Sequence, residues 1–303
     1  MTPCFAEIIR SDQFRFLVDE NQTPIMVHAA AIAATSPQMD RLVNGAMKEA
    51  SGRCAEIRDI SVEDFTRFCE YAYRGDYAVP VHTIDETRLA AKIVEDSSNA
   101  GPPDHRGDDL DPAVTSIVVD TAQAESAQGI EDWSALQSKK PKTPKLSKKS
   151  AFRTKYHSRI YLSSDEYEAE IANQFKPRCN TTDEQDFTPV FLAHARLYTF
   201  ARMRMIDNLK ALTLQKLHNT LIGFRLYENR VRDIVELARY AYTSEHIPDR
   251  TDDGETDELR NLVVNYIASE FDCIGGAAIF VAFLEEGGEF VGDFWNTVLN
   301  GLL

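Results

Sequence analysis

The chain has 303 residues, of which 43% are hydrophobic, and its 33 Lys and Arg against 48 Asp and Glu give a formal net charge of −15. This surplus of acid argues against direct binding to nucleic acids, because their binders present a net basic face that displaces counterions. The length predicts about two domains. The five cysteines, at positions 4, 54, 69, 179 and 273, form no CxxC pair, which predicts reduced thiols and neither a disulfide framework nor a zinc site.

Hydrophobic patterns predict a small α+β unit at the start of the chain. Apolar and polar side chains alternate along 14–19 and 23–28, which is typical of a hairpin. An alanine-rich helix follows and is broken at Ser36-Pro37, because proline cannot donate the hydrogen bond that a helix interior uses. A third short strand is predicted at 54–57, and Ser61 is the predicted N-cap of the next helix.

The middle of the chain is predicted to be mostly disordered. Residues 95–132 contain ten acidic residues and one Arg, whereas 139–155 contain eight basic residues and no acid. Neither block can bury enough apolar surface to offset the entropy that is lost on ordering. The basic block fits a nuclear localisation segment and equally a solvated linker, so the predicted location of the protein is cytoplasmic or nuclear.

Helical spacing returns at Phe187 and continues through the rest of the chain. Apolar residues three or four apart predict two packed helices and then further helices up to the C-terminus. The longest nearly uncharged apolar stretch, 273–284, is about half of the ~20 residues that span a bilayer, so we expect a buried helix and no membrane partner. The first residues show no basic region followed by an apolar run, so no secretory signal is expected.

The sequence contains no familiar catalytic or ligand-binding motif. HExxH, GxGxxG, GxxxxGK[ST] and GxSxG are all missing, and no two of the seven histidines lie within five residues of each other. Carboxylate pairs such as Glu285-Glu286 are expected at the surface of such an acidic chain. The sequence therefore predicts a protein that is not an enzyme, has no cofactor or metal, and interacts with other proteins.

Short motifs occur in a characteristic order in two blocks of the chain. The first block contains Ser11-Asp12, Val27-His28, Ala33-x-x-Ser36, Glu49-x-Ser51 and Tyr71-Ala72-Tyr73-Arg74-Gly75-Asp76-Tyr77. The second block contains 194–201, with Tyr198 and Ala201, and then Ile206-x-x-Leu209. Together these motifs resemble the BTB/POZ domain family, specifically the fungal type in which a long insertion splits the domain. The resemblance implies an α+β BTB/POZ fold, a small three-stranded sheet with helical hairpins, followed by an all-helical C-terminal extension.

The resemblance also implies the limits of the parts. They are a first part of the BTB/POZ core at 1–84, a mostly disordered insertion at 85–186, a closing helix pair at 187–222 and a C-terminal helical region at 223–303. Two positions depart from the family pattern. Ala29 stands where a basic residue usually follows His28, so the charged pocket of some transcriptional members is not implied, and Arg204 stands where an aromatic residue is usual.

The motif residues are expected to have mainly structural roles. The set comprises Asp12, His28, Ser36, Tyr71, Tyr73, Gly75, Tyr77, Tyr198, Ala201 and Leu209. We expect Asp12 to be a polar partner at a strand start and His28 a packed or capping imidazole, with a role in assembly as the alternative. The tyrosines are expected to be aromatic residues of the core and its rim, not a stripe that binds a ligand.

Met47-Lys48-Glu49 is the sharpest functional candidate. In BTB adaptors, a hydrophobic residue, any residue and then Glu, in the loop after the first hairpin helix, engage a cullin scaffold, and these residues resemble that pattern by position. An exposed thioether can fill an adaptable pocket, and a carboxylate can accept hydrogen bonds from a partner. The alternative is that Met47 packs inward and Glu49 is an ordinary loop carboxylate.

The N-terminal residues Phe5, Ile8 and Ile9 form a predicted apolar edge for self-association. A symmetric homodimer would use the same edge of each chain, although these side chains could equally cover their own domain. The predicted function is thus an interaction module that self-associates and recruits a partner, as a substrate adaptor of a cullin-type ubiquitin ligase that holds its substrate with 223–303. The alternative is a transcriptional or chromatin-associated scaffold that uses 139–155 for nuclear entry and has no ligase role.

Overall fold

The computed structural model of the protein describes residues 3–88, 90, 170, 172–251 and 255–302. These residues belong to one unit, composed of Met1–Asp96 and Asp165–Leu303. Both predicted charge blocks, 95–132 and 139–155, lie outside the described residues, and so does most of the predicted insertion.

A mixed three-stranded sheet forms near the N-terminus. Its strands are β1 (Gln13–Val18), β2 (Thr23–His28) and β3 (Cys54–Ile57), in the order β2-β1-β3. β1 pairs with β2 antiparallel, with Phe16 opposite Ile25, and with β3 parallel, with Phe16 beside Ala55. Phe14, Phe16 and Val18 alternate along β1 and are fully buried. The sheet therefore has the predicted strands, within a residue of their predicted limits.

Five helices surround this sheet in the described residues 3–82. They are α1 (Phe5–Arg10), α2 (Ala29–Ala33), α3 (Pro37–Asn44), α4 (Lys48–Gly52) and α5 (Val62–Arg74). The predicted break lies between α2 and α3, where the Ser36 hydroxyl accepts a hydrogen bond from the Met39 N–H at 3.1 Å and Pro37 takes the first helical position. Ser61 caps α5 in the same way, as predicted, through the Asp64 N–H at 3.2 Å.

The C-terminal part is helical. Its elements are α6 (Thr188–Met203), α7 (Asp207–Gly223), a 3-10 turn (Glu228–Arg230), α8 (Val231–Thr243), α9 (Glu258–Ser269), α10 (Phe271–Ile274), α11 (Ala278–Glu285) and α12 (Glu289–Leu302). Met205, with a left-handed φ of 53°, makes the corner between α6 and α7. Within the described ranges, no helix is both long enough and apolar enough to cross a bilayer.

Two hydrophobic cores share helix α6. The N-terminal core contains Phe14, Phe16, Ile57, Phe65, Phe68, Tyr77, Leu197, Phe200, Ala201 and Leu209. The C-terminal core contains Phe187, Phe191, Ala195, Tyr198, Leu217, Val235, Leu237, Val263, Phe280 and Phe290. α6 thus presents one side to each core, which joins the sheet to the C-terminal helices. The predicted α+β class, with a three-stranded sheet and a helical C-terminal region, is confirmed.

The two edges of the predicted insertion are held together. β4 (Thr83–Ile84) pairs antiparallel with β5 (Gln185–Asp186), and the Val79 N–H donates to the Gln174 carbonyl at 2.9 Å. Residues near 85 and between 172 and 186 therefore make defined contacts, although they lie inside the predicted insertion. The described residues on the two sides of the predicted insertion therefore lie next to each other.

Candidate functional site

The loop between α3 and α4 is the first candidate surface. The side chains at 44–48 are all exposed, and Met47 at the start of α4 is 55% exposed. The loop begins at Gly45, where an added Cβ atom would lie 2.2 Å from the Arg41 carbonyl oxygen, so any other residue would require the backbone to move. Arg53, with a left-handed φ of 50°, ends α4 directly before β3. The position of the loop is therefore fixed at both ends.

Met47 and Glu49 are brought together at the start of α4. The Met47 side chain is exposed, which differs from the inward packing that the sequence left open. Glu49 is partly exposed in the first helical turn, and within the described ranges no donor contacts its carboxylate. An exposed thioether and an unpaired carboxylate two residues apart can contact an apolar pocket and a donor of the same partner.

The N-terminal edge is formed by one side of α1. Phe5 is 68% exposed and Ile9 is 47% exposed, because the two residues lie four apart and share a helical face. Ile8 is only 6% exposed and packs into its own domain, so the predicted apolar edge consists of Phe5 and Ile9. A groove of about 600 Å³ lies beside this edge, and its lining includes Tyr71 and Tyr73 of α5.

His28 and Ser36 join segments that are distant in sequence. The hydroxyl of Tyr73 accepts from the His28 N–H at 2.9 Å and shares a hydrogen bond of 2.8 Å with the His28 Nδ1 atom. The Ser36 hydroxyl donates to the Arg204 carbonyl at 2.8 Å, and the Arg204 side chain pairs with Asp59 at 2.9 Å. Arg204, one of the departures from the family pattern, therefore contacts the start of α3 and the residues before α5.

Tyr77 is the centre of a buried polar group. Its hydroxyl shares a hydrogen bond of 2.7 Å with the His194 Nδ1 atom of α6. The Lys216 Nζ atom donates to the Tyr77 carbonyl at 3.0 Å and pairs with Asp76 at 2.7 Å, although the Lys216 side chain is only 6% exposed. Burial, and then the charges of Lys216 and Arg67, lower the pKa of His194 to about 3, so the imidazole is neutral at physiological pH.

The other motif residues have structural positions. Ala201 and Leu209 are fully buried in the N-terminal core, and Gly75 ends α5 with a left-handed φ of 74°. The Tyr198 hydroxyl donates to the Asp257 carboxylate at 3.0 Å from within the C-terminal core. The Asp12 carboxylate forms a mostly exposed ion pair with Arg53. Each of these residues contacts its own chain, and the mainly structural roles stay a prediction.

Sequence reasoning did not identify a buried charged cluster at the start of α6. The Phe187 N–H donates to the Asp233 carboxylate at 2.9 Å, and the Arg230 guanidinium lies 3.7 Å from the second Asp233 oxygen and pairs with Asp85 at 2.6 Å. Burial is the main cause that raises the pKa of Asp233 to about 7. Because these residues are separated by up to about a hundred and fifty positions in sequence, no local motif indicates the cluster. It connects β4, α6 and α8.

In the described part of the chain, no group of three or more His, Cys, Asp or Glu side chains is arranged to hold a metal ion. The exposed apolar positions on the loop and on α1 are more typical of surfaces that contact proteins.

A family comparison agrees with this architecture. Residues 14–95 match the family model of the BTB/POZ domain. No curated protein shows significant similarity to the chain. The matched residues include α2 to α5 and the three-stranded sheet except Gln13, so this part of the chain contains a BTB/POZ domain, which a helical C-terminal region follows. This is a family of protein-interaction domains, not of enzymes, and its members act through protein partners and self-association.

Proposed function

We propose that this BTB/POZ chain is a substrate adaptor that recruits a cullin-type ubiquitin-ligase scaffold through Met47 and Glu49. The C-terminal helical region at 223–303 would hold the client. The best support is the accessibility of these two side chains. Met47 is 55% exposed, and the Glu49 carboxylate has no donor within the described ranges. Both side chains are thus available to a partner without any rearrangement of the domain.

The proposal includes the division of the chain into parts. In it, 1–84 and 187–222 form one BTB/POZ domain of the split type known from fungal members, and 85–186 is the insertion. The pairing of β4 with β5 and the position of Leu197 and Phe200 in the N-terminal core support this division, since both connect the two sides of the insertion.

Isothermal titration of the chain with the N-terminal half of a cullin scaffold from the same source tests the adaptor function. We expect a dissociation constant in the micromolar range or tighter. Glu49→Lys and Met47→Asp should each abolish the heat of binding, because they reverse the charge and remove the apolar anchor. Lys48→Ala is the matched control within the loop, and it should bind like the wild type because the middle position of the pattern accepts any residue.

Two results would contradict the adaptor function. The first is an absence of binding at tens of micromolar. The second is binding that Glu49→Lys and Met47→Asp leave unchanged, which would place the contact elsewhere. Either result would leave a BTB/POZ protein with other partners.

Self-association through α1 is part of the proposal. Phe5 and Ile9 are exposed on one helical face, and a symmetric dimer would place this face against its copy. Size-exclusion chromatography with light scattering at micromolar concentration should give the mass of a dimer. Phe5→Asp with Ile9→Asp should give a monomer, whereas Met26→Asp, at a 55% exposed position of β2, should not. A wild-type monomer at this concentration would exclude the idea.

A transcriptional or chromatin-associated scaffold is the alternative function. The basic block at 139–155, with eight basic residues and no acid, favours it, although the block lies outside the described residues. A fluorescent reporter that carries 139–155 should enter nuclei if this alternative holds, and a reporter with the lysines changed to glutamine should not. Exclusion of the first reporter from nuclei would argue for the adaptor.

A further inference from the structure

Helix α12 has a row of apolar side chains that is exposed at two of its three positions. Val291, Trp295 and Leu299 follow one another at intervals of four residues and therefore lie along one side of the helix, with Val291 half-buried against the C-terminal core. Trp295 is 59% exposed and Leu299 is 38% exposed, whereas the neighbouring Phe294 is buried in the C-terminal core. We call Val291, Trp295 and Leu299 the α12 face. A large exposed aromatic residue between two aliphatic ones is typical of an interaction surface.

The part of the chain that contains α12 is acidic. Residues 261–303 contain six acids and no Lys, Arg or His. Three of the acids are neutralised by arginines of preceding elements, namely Glu286 by Arg239, Glu289 by Arg260 and Asp293 by Arg250. The other three, Glu270, Asp272 and Glu285, form no ion pair within the described ranges. This part of the chain therefore has a negative charge that no ion pair balances within the described ranges.

The unpaired acids extend to an aromatic residue that contacts α12. Phe271 lies between Glu270 and Asp272, is 39% exposed, and has its ring centroid 5.8 Å from that of Phe294. The negative charge on Glu270 contributes to the raised pKa of Tyr266, after burial. Two unpaired acids thus flank an exposed aromatic residue that packs against α12.

We propose that the α12 face binds a basic amphipathic helix of a partner protein. The apolar side of such a helix would cover Trp295 and its neighbours, and its lysines or arginines would lie near Glu270, Asp272 and Glu285. A second copy of this chain would instead bring acids against acids, and an anionic lipid surface would be repelled by the same charges. The inference defines the class of client in the proposed adaptor function, yet it uses no residue of the 44–49 loop.

A labelled synthetic peptide of Leu and Lys, with its leucines repeated every three or four residues, is the probe. Its fluorescence anisotropy should rise on titration with the full chain. Trp295→Ser should weaken binding at least about tenfold, because truncation of a central aromatic anchor has an effect of this size. Met26→Ser is the matched control, since Met26 on β2 is 55% exposed but lies outside the α12 face and away from the three acids.

The charge contribution is tested by a triple variant. Glu270→Lys, Asp272→Lys and Glu285→Lys together should weaken peptide binding about tenfold or more, whereas Glu20→Lys, Glu63→Lys and Glu228→Lys, with the same change in net charge, should have a smaller effect. In a Trp133→Phe variant, Trp295 is the only tryptophan, and its emission should shift to shorter wavelength as the peptide covers it.

Three outcomes would overturn the inference. A peptide with Glu in place of Lys would bind as tightly as the Lys peptide, or Trp295→Ser would bind the Lys peptide as tightly as the wild type. The third is self-association of the chain that Trp295→Ser abolishes, which would assign the face to a second copy. Titration of the same preparation with the cullin fragment separates the two proposals. Cullin binding without peptide binding removes only this inference, and peptide binding without cullin binding removes only the adaptor function.

Discussion

The two cores of the protein differ in which parts of the sequence supply their residues. The N-terminal core packs a sheet against helices from before position 75 and after position 187, so that Phe16 of β1 and Phe200 of α6 belong to one cluster. The C-terminal core is helical and nearly all of its residues follow Phe187. α6 belongs to both cores, with Phe200 on one side and Phe191 on the other. A helix that is apolar on two sides is buried between two layers, so the C-terminal region is packed onto the BTB/POZ domain and is not merely tethered to it.

This arrangement has a consequence for the candidate surfaces. The loop with Met47 and the α1 edge belong to the N-terminal part, whereas the α12 face belongs to the C-terminal part. Because one rigid helix contributes to both cores, the surfaces are held on a common frame. An adaptor needs such a frame, since it has to present its client at a fixed position relative to its scaffold.

Substitutions on the two sides of α6 should have the largest effect on stability, and they show whether the two cores unfold together. Phe200→Ala and Phe191→Ala should each lower the free energy of unfolding by about 3–5 kcal/mol, because each opens a cavity in a fully buried cluster. If the cores form one cooperative unit, urea unfolding followed by circular dichroism should show a single transition for both variants. Two separated transitions in either variant would show that the cores unfold independently.

Lys216→Met should have the next largest effect. The substitution leaves the Tyr77 and Phe175 carbonyls without their buried donor and removes the partner of Asp76. We expect a loss of about 1–3 kcal/mol in the free energy of unfolding. Lys210→Met on the same helix is the control, because Lys210 pairs with the 59% exposed side chain of Glu258 and should contribute little. Equal losses in the two variants would contradict the buried role of Lys216.

His194 and Asp233 should make the stability of the protein depend on pH in opposite directions. The pKa of His194 is lowered from 6.5 to about 3, so the stability that its neutral form contributes is present above pH 6.5 and is lost as the pH falls toward 3. The pKa of Asp233 is raised from 3.8 to about 7, so its contribution is present below pH 3.8 and is lost as the pH rises to 7. The two effects oppose each other between about pH 4 and 6.5, each with about 1.4 kcal/mol per pH unit.

Single variants separate these two contributions. Relative to the wild type, Asp233→Asn should make the free energy of unfolding rise more steeply with pH in this window, and His194→Asn should make it fall. The measurement is a series of urea unfolding curves at several pH values. Slopes that do not differ from the wild type would show that neither group is perturbed in the folded state.

Asp12→Ala should have the smallest effect. Asp12 and Arg53 form an ion pair with side chains that are 71% and 44% exposed, and such pairs contribute about 0–1 kcal/mol. A thermal melt should therefore differ little from that of the wild type. A large loss of stability would assign Asp12 a role beyond this pair.

Much of the fold could be predicted because the order of neighbouring residues determines its strands, caps and helix breaks. Alternation identified the three strands, proline located the break between α2 and α3, and Ser61 was identified as a cap. Long-range polar contacts have no such signal. Lys216 would be placed at the surface by its residue type, and its partner Tyr77 is 139 positions away.

The candidate sites were predictable only in part. The Ser61 cap could be predicted, but nothing in the sequence near it shows that the buried carboxylate of Asp64, three residues on, pairs with Arg67 and with Arg196, 132 positions later. The sequence could not show whether Met47 packs inward, because the exposure of a side chain depends on the tertiary structure around it. The burial of Ile8 between the exposed Phe5 and Ile9 could have been predicted from the four-residue spacing of the other two. The same spacing on α12 indicates its apolar face.

The most direct test of the adaptor function is the mass of the complex in solution. The chain and the N-terminal half of the cullin scaffold, mixed at tens of micromolar, should co-elute in size-exclusion chromatography with a light-scattering mass that includes both proteins, and Glu49→Lys should elute apart from the scaffold. Separate elution of the wild-type chain and the scaffold, or co-elution that Glu49→Lys does not disturb, would contradict the account.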